Sequence, residues 1–553
     1  MGAYLNPGAE AFEEAINSQI FVDKTGMIRH LNVVVRTKQK YVSVSRPRRF
    51  GKTMAADMIC AYYGRGANSR GLFESKALAH GGVEDSGGLA WDIYLGRFDV
   101  IRLVMTRFFK RSVPVGKSLQ RLQALVVRDL KMAYPEVDIF DAGDLAQCIE
   151  DVCCATGRLV VVVIDEWDAV FRVRKDDREG QTEYLDFLRD LLKDNSNIAL
   201  AYMTGILPIK KYGEHSALNM FTEYSMTAPR QLAPYTGFTE GEVRALCEGY
   251  GMDYVEVSDW YDGYLVSDRI PPERREEYRE GTYDGHKLSI YSPLSVVEAM
   301  TTGRIGNYWN KTETYEALAE YIRRDYDGLK EAVTLLMDGG RIRIDTSTYQ
   351  NDMTTFHGRD DVLSLLIHLG YLGFDDERSE VFVPNREILD EFKTSTKGSE
   401  WKAAFRAFDR SEELLRATWD ENPDIVAELL EEAHNQAGNK TYNDEAALSY
   451  AVQLAYFTAQ RYYTTILELD SGKGYVDIAY LPSPMHPDIP ALIIELKYNK
   501  TADTAMKQIK RQKYTERLEH YKGNILLVAI DYDKDVPHNK LEFKRHTCRI
   551  ERV

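Results

Sequence analysis

Gly51, Lys52 and Thr53 stand in a row between the β-rich run Tyr41 to Ser45 and a stretch of helical apolar spacing, Lys52 to Tyr63. The order strand, GKT, helix has chemistry in it. Backbone N–H groups at a helix N-terminus attract phosphate oxygens, and the helix dipole adds to that attraction. Lys52 would meet the β- and γ-phosphates of a nucleotide, and Thr53 would offer a hydroxyl to Mg²⁺. The general phosphate-loop pattern asks for glycine five residues before Gly51. This chain has Arg46 there, followed by Pro47, Arg48 and Arg49, and the three arginines are read as added anion contacts.

The partner of this loop is LVVVVIDEWD, a buried aliphatic strand that ends in Asp165 and Glu166. Asp165 at the carboxyl end of the strand would hold Mg²⁺ through water, and Glu166 would polarise the attacking water. The later strand ending in Thr204 offers a polar sensor of the γ-phosphate. Ligands of open α/β sheets bind at such carboxyl ends. GKT alone could be a helix cap, and Asp165-Glu166 alone could simply end a strand. Together, in this order and each at a strand end, they point to ATP with Mg²⁺. Hydrolysis is the weaker of the two inferences, because Arg46 replaces the first glycine.

A second constellation lies near the C-terminus. GYVDIAY (Gly474 to Tyr480) and LIIELKY (Leu492 to Tyr498) are strands flanking a proline-rich turn. Strand period two puts Glu495 and Lys497 on one face, and a hairpin would bring Asp477 to the same face. Asp477 and Glu495 could bind Mg²⁺, with Mn²⁺ as an alternative, and so activate a water and neutralise a phosphate oxygen. Lys497 could orient the nucleophile or stabilise charge developing on phosphorus. Glu445, at the start of the helix DEAALSYAVQLAYF, could add a metal contact. Gln508 lies on the helix TAMKQIKRQKYTERL. From Lys500 to Lys522 there are seven basic residues and three acidic ones, a local excess that suits a polyanion. An isolated ELK is a plain solvated hairpin far more often than a catalytic site. The company of Asp477, Glu445 and the basic helix is what changes the reading.

These groups need scaffolds. The first ~230 residues alternate short apolar strands (Val100 to Met105, Leu159 to Ile164, Ile198 to Met203) with helical segments, which implies a parallel sheet covered on both faces. Near Phe238 the texture changes: Thr239 and Glu242 form a capping box, with Phe238 and Val243 as its hydrophobic staple. An aromatic-rich helical region follows, and Trp260, Tyr261 and Tyr264 within it are read as core. Farther on, helix, helix and hairpin succeed one another, the hairpin turning at Asp375 to Ser379, which suggests a winged-helix-like module. Helices resume at about Trp401, and the last ~90 residues return to strands.

Composition bounds the rest. The chain has 553 residues, with 28% charged and 44% hydrophobic residues and a formal net charge of −16. That balance is ordinary for a globular protein and disfavours a surface coated all over in basic charge, while leaving room for a local basic groove. No apolar run approaches the ~20 residues of a membrane span, and MGAYLNPGAEAFEEAI does not have the pattern of a signal peptide. Six cysteines without CxxC or zinc spacing fit thiols in a reducing cytoplasm.

FVDKTGMI, SRPRRFGKT, VVVIDEWD, TGFTEGEV, WYDGY and YSPLSV, in that order, resemble the bacterial AAA-ATPase-like family that carries a C-terminal PD-(D/E)XK nuclease domain. The resemblance runs from about Tyr4 to Arg517, and the arginine-bearing loop is the usual form in that family. It implies an α/β protein: a P-loop ATPase αβα sandwich with a helical lid, a winged-helix-like middle module and a C-terminal α/β restriction-endonuclease-like domain. The expected boundaries are 1–235, 236–310, 311–400 and 401–553. It implies ATP with Mg²⁺ at Lys52, Thr53 and Asp165, and a nuclease site at Asp477, Glu495 and Lys497, with genome defence as one possible role. The leading expectation is a cytoplasmic, metal-dependent nuclease acting on nucleic acid, DNA above all, under ATPase control, with homo-oligomerisation left open. The alternative is a nucleotide-switched binding or signalling protein that grips nucleic acid without cutting. A phosphodiesterase acting on other substrates stands third.

Overall fold

The computed structural model describes residues 2–66, 68–81, 88–209, 218–267, 287–309, 329–337, 339–351, 356–396, 410–437, 445–456, 458–459, 462–470, 475–483, 486–512, 524–533, 535 and 545–553. Contacts divide the chain into two units, Met1–Thr314 with Arg343–Ile388, and Tyr315–Ile342 with Leu389–Val553.

The first unit is built on five strands: β1 (Tyr41–Ser45), β2 (Asp99–Val104), β3 (Val160–Asp165), β4 (Ile198–Gly205) and β5 (Thr222–Tyr224). They are ordered β2-β3-β4-β1-β5 and all pairings are parallel. Parallel neighbours need long crossovers, and helices supply them. Helix α1 (Lys52–Tyr63) follows β1, α2 (Val115–Ala133) and α3 (Leu145–Thr156) lie between β2 and β3, and α4 (Arg178–Leu192) precedes β4. Met58, Ile59, Tyr62 and Tyr63 of α1 pack in one core with Val42, Val44, Val161, Val163, Leu200 and Tyr202. By the strand period of two, Val162 and Ile164 point the other way, and they are buried as well. Continuous apolar strands therefore mark a sheet covered on both faces, as their sequence implies.

Beyond the sheet, β6 (Phe238–Thr239) leads into α5 (Glu240–Tyr250) and α6 (Tyr254–Tyr261). The capping box is present. Thr239 Oγ1 accepts from Glu242 N, Glu242 Oε2 accepts from Thr239 N at 2.7 Å, and Phe238 and Val243 are both buried in the same cluster. Tyr261 and Tyr264 are buried core residues, as expected. This region is not purely helical. β7 (Tyr264–Ser267) and β8 (Lys287–Tyr291) form a small antiparallel sheet with β6, in the order β6-β8-β7, before α7 (Pro293–Thr302). YLVS and KLSIY are too short and too rich in alternating apolar residues for amphipathic helices, and pairing satisfies their backbone groups.

In the middle of the chain α8 (Arg359–Leu369) is buried from Asp361 to Leu369, with Asp361, Ser364 and His368 among its buried residues. Gly370 ends it at φ 88, a left-handed conformation that glycine adopts without strain. The hairpin β9 (Gly373–Asp375) and β10 (Glu380–Phe382) follows, turning where the sequence indicates. The helix–hairpin part of the expected order is present, while the division between the two units falls inside the expected 311–400 module.

The second unit contains α9 (Ser411–Trp419), α10 (Pro423–Ala437), α11 (Glu445–Ala455), β11 (Tyr463–Asp470), β12 (Tyr475–Pro482), β13 (Ala491–Tyr498), α12 (Ala502–Gln512), β14 (Ile525–Tyr532) and β15 (His546–Arg552). Its sheet runs β11-β12-β13-β14-β15, antiparallel except for the parallel pair β13/β14 bridged by α12. Alternate residues serve opposite faces. Leu492, Ile494 and Leu496 share a core with residues of α9, α10 and α11. Ala491 and Ile493 share another with Ala505, Met506 and Ile509 of α12. Glu495 and Lys497 continue the second series and so face α12.

The capping box gives a stability prediction. Thr239→Ala removes the acceptor for Glu242 N and should cost about 1 kcal/mol. The expected result is a lower denaturant midpoint for the first unit and faster amide exchange in the first turn of α5. Unchanged exchange there would show that the cap contributes nothing.

Candidate active sites

The first site sits at the carboxyl end of the parallel sheet. Gly51 caps α1 at φ 80, and a Cβ placed there would meet nothing within 4 Å, so the helix N-terminus opens onto unfilled space. Lys52 is the first helical residue. It is buried, and its Nζ donates to Pro47 O at 2.6 Å. Burial pulls Lys52 down to about 8, against the opposing charges of Asp168, Asp165 and Glu166. Those same charges place Lys52 and the end of β3 in one electrostatic field. Burial pushes the Asp165 carboxyl above its usual range, an effect that Thr53 opposes. Asp165 Oδ1 and Thr204 Oγ1 are both buried without a hydrogen-bond partner among the described residues. Unpartnered buried oxygens are costly, and a ligand or ion would satisfy them. An ATP–metal group therefore fits the residues present.

The three arginines of the loop lie in different environments. Arg46 is buried, and its Nη1 donates to Ser45 O at 2.9 Å and Tyr224 O at 3.1 Å. Its Nη2 has no hydrogen-bond partner among the described residues, and burial lowers its pKa to about 10. Arg48 is half-buried, and Arg49 is exposed at φ 69.

Glu166 also has positive φ, 53, a strained conformation for a non-glycine residue. Its Oε2 accepts from Arg172 Nη2 at 2.9 Å, and Arg172 Nε lies 3.3 Å from Asp168 Oδ2. Burial works against the charge of Arg172, and Asp168 and Glu166 outweigh it. Asp168 Oδ2 also accepts from Ile206 N at 3.2 Å and Leu207 N at 3.1 Å, which ties the end of β4 to the end of β3. A Cβ on Gly205 would fall 2.5 Å from Trp167 Cδ1, so the close approach of these two turns requires glycine. Sequence reasoning missed Asp168, Arg172, Asp57 and Arg102. The only signal for the first was the second aspartate of IDEWD, and nothing local marked the others.

The second site forms where two strands part. The antiparallel register of β12 and β13 runs to Ile478 opposite Ile494, and the next residues along are Asp477 and Glu495. Asp477 Oδ2 accepts from Leu496 N at 2.7 Å, so a side chain takes a main-chain N–H of the neighbouring strand. Glu495 is buried, and its Oε1 accepts from Lys497 Nζ at 2.9 Å and from Gln508 Nε2 on α12. Lys497, also buried, donates to Leu496 O at 2.8 Å. Asp477, Glu495, Lys497 and Gln508 thus form one connected cluster. Two carboxylates from adjacent strands are a hard-oxygen donor pair of the type that Mg²⁺ or Mn²⁺ takes, and they fit a divalent ion. Glu445 opens α11, and its side chain lies outside the described residues. Sequence reasoning also missed Asp531, buried on β14 in register with Lys497 and accepting from Lys500 N at 3.0 Å.

The basic helix is partly compensated. Lys510 pairs with Glu551, while Lys507 is exposed. Lys513, Arg517 and Lys522, together with the side chain of Arg511, lie outside the described residues. Among the described residues no helix is long and apolar enough to cross a membrane.

Comparison with known proteins bears on both domains. Residues 7–213 match the family described as predicted AAA-ATPase, and residues 444–537 match the PD-(D/E)XK nuclease superfamily. The chain carries a AAA-ATPase-like domain and a C-terminal PD-(D/E)XK nuclease domain, an enzyme of two phosphate chemistries, as the resemblance of its motifs implies. No curated protein matches the chain. Among solved structures, the Orc1 protein of Aeropyrum pernix in complex with DNA is similar at 9% identity, over 94% of this chain and 100% of that one, with a TM-score of 0.24. So remote a likeness carries no argument here.

The lowered pKa of Lys52 has a measurable sign. The unfolded chain holds the lysine proton up to about 10.5 and the folded chain only to about 8. Between these values the unfolded state binds more protons, so this group makes stability rise with pH. Relative to wild type, Lys52→Met should lose that gain across pH 8 to 10 in nucleotide-free denaturant titrations. Parallel pH profiles for the two proteins would show that Lys52 is not desolvated.

Proposed function

We propose that this chain is a DNA-cutting nuclease whose activity is governed by the nucleotide state of its ATPase domain. The observation that carries the cutting half is the connected cluster of Asp477, Glu495, Lys497 and Gln508 at the parting of β12 and β13. A purely gripping domain has no need to bury a lysine against a glutamate, because that arrangement costs desolvation.

In this reading Asp477 and Glu495 hold a divalent ion, with Glu445 as a further candidate ligand. The ion, when bound, supplies a water of lowered pKa and neutralises a phosphate oxygen. Lys497 leaves Glu495 and Leu496 O to stabilise charge on the scissile phosphate. Gln508 keeps the Glu495 carboxylate in place from α12. Exposed lysines of α12 meet the polyanion backbone.

In the ATPase domain Lys52 exchanges Pro47 O for the β- and γ-phosphates, and Arg48 and Arg49 add anion contacts from the loop. Arg46 supports the loop from below. Thr53 and Asp165 hold Mg²⁺. Glu166, once released from Arg172, polarises the attacking water, and Thr204 Oγ1 reaches the terminal phosphate. Control of one site by the other is inferred from their presence on one chain. It requires that ATP shift the chain between states of different nuclease activity.

Two experiments test the proposal. Lys52→Ala should weaken ATP binding ~10-fold or more, on the order of 1.4 kcal/mol, while Glu166→Gln should retain binding and slow turnover. Full turnover in the latter removes Glu166 from its role.

For the nuclease, plasmid, linear and single-stranded DNA and RNA are incubated with Mg²⁺ or Mn²⁺, with and without ATP. Cleavage of DNA is expected, abolished in Asp477→Asn with DNA binding retained, and reduced in Lys497→Ala with metal binding retained. Equal cutting by Asp477→Asn assigns the activity elsewhere. No cutting under any condition, with nucleotide-dependent binding intact, would favour the nucleotide-switched binding protein.

A further inference from the structure

Next to Asp165 lies a cation that phosphate binding does not explain. Arg102 is on β2, opposite Val163, and Val104 is opposite Asp165. Strand period two therefore puts Arg102 and Asp165 on the same face of the sheet. Arg102 Nη2 stands 4.0 Å from Asp165 Oδ2, and its Nη1 forms an ion pair with Oδ1 of Asp57. Asp57 belongs to α1, four residues after Thr53, and so shares its helix face. The side chains of Arg102 and Asp57 are only 16% and 13% exposed. Asp165 itself is buried, with Oδ1 unpartnered among the described residues.

This arrangement is unusual in what it withholds. A guanidinium is a planar fork suited to grip both oxygens of a carboxylate. Arg102 has that option with Asp165 and has not taken it, because Asp57 holds its Nη1. Were Asp57 absent, Arg102 would close on Asp165, cover the unpartnered oxygen and leave a positive charge where a cation must sit. Were Arg102 absent, Asp165 would lose the positive charge beside its Oδ2, and Asp57 would be left without its cation.

We propose that Arg102 and Asp57 are positioning residues for Asp165: Arg102 sets positive charge beside Oδ2 from 4.0 Å so that Oδ1 faces the metal ion, and Asp57 holds Arg102 off so that the ion is neither displaced nor repelled. This rests on the reading of Asp165 as a metal ligand of the ATPase domain. It adds two residues that the phosphate-loop pattern does not include, and it predicts that their effects are not additive.

The test is binding of a fluorescent ATP analogue to the full chain, first in EDTA and then at rising Mg²⁺. Wild type should bind more tightly with Mg²⁺. In Asp57→Asn the Mg²⁺ concentration for half-effect should rise about 10-fold or more, the usual cost of losing a residue that orients a metal ligand. Binding in EDTA should be unchanged. Arg102→Gln should raise the half-effect less, and Asp57→Asn/Arg102→Gln should return toward the Arg102→Gln value, because the misplaced cation is gone.

A merely structural role would lower the thermal midpoint and weaken binding equally with and without Mg²⁺. That result overturns the proposal, as does an unchanged half-effect in Asp57→Asn or an additive double variant. Should Asp57→Asn not fold, Arg102→Lys carries the test, since an ammonium cannot bridge both acids: a raised half-effect supports the proposal and a wild-type value overturns it. Wild type that binds the analogue without any Mg²⁺ effect fails earlier, at the metal-ligand reading of Asp165, and overturns both.

Discussion

A sheet buried on both faces has little room for charge within it, and each charge at or near its strand ends must be neutralised or left for a ligand. All residues of β3 and β4 are buried, so this constraint organises the first unit. At the carboxyl ends, Asp165 is flanked by Thr53 and Arg102, Arg102 by Asp57, and Asp168 by Arg172 and two main-chain N–H groups. Removing one member of such a network leaves its partner as an uncompensated buried charge, which costs about 3–5 kcal/mol. Among the buried side-chain atoms of the described residues left without a hydrogen-bond partner are Asp165 Oδ1 and Thr204 Oγ1, at the carboxyl ends of β3 and β4.

The second unit meets a related constraint differently. Its sheet is mixed, and the parallel pair β13/β14 needs α12 as a crossover. That crossover covers the same face on which Glu495 and Lys497 lie, and it brings Gln508 to Glu495. The helix that closes the topology also completes the polar cluster. The ladder between β12 and β13 reaches Ile478 and Ile494, and just past it Asp477 hydrogen-bonds to a backbone N–H instead of standing free in solvent.

The two sites share a resting device. Each has a buried lysine, and each lysine is held by oxygens of the chain itself. Lys52 is on Pro47 O, while Lys497 is on Glu495 and Leu496 O. A buried ammonium without such acceptors would be expensive. The acceptor at Lys52 is a neutral carbonyl, whereas Lys497 faces a carboxylate, the stronger partner.

The sequence by itself determined the local elements and the chemical cast. Period and apolar content placed α1, β3, β4 and the strands carrying Asp477 and Glu495 within a residue or two, and Thr239 with Glu242 marked a cap that forms as written. These features are local, and backbone geometry with side-chain alternation suffices for them. Only the tertiary structure decided which strands are neighbours, and with that which charges meet. Arg102 is 63 residues from Asp165 in number, and Asp57 is on a different element again. No spacing rule links them, because their contact follows from the order β2-β3-β4-β1-β5. The small sheet within the lid and the pairing of Lys510 with Glu551 are of the same kind. Pairwise contacts between distant segments depend on how the chain crosses over, and a one-dimensional pattern carries that information only where a motif has recorded it.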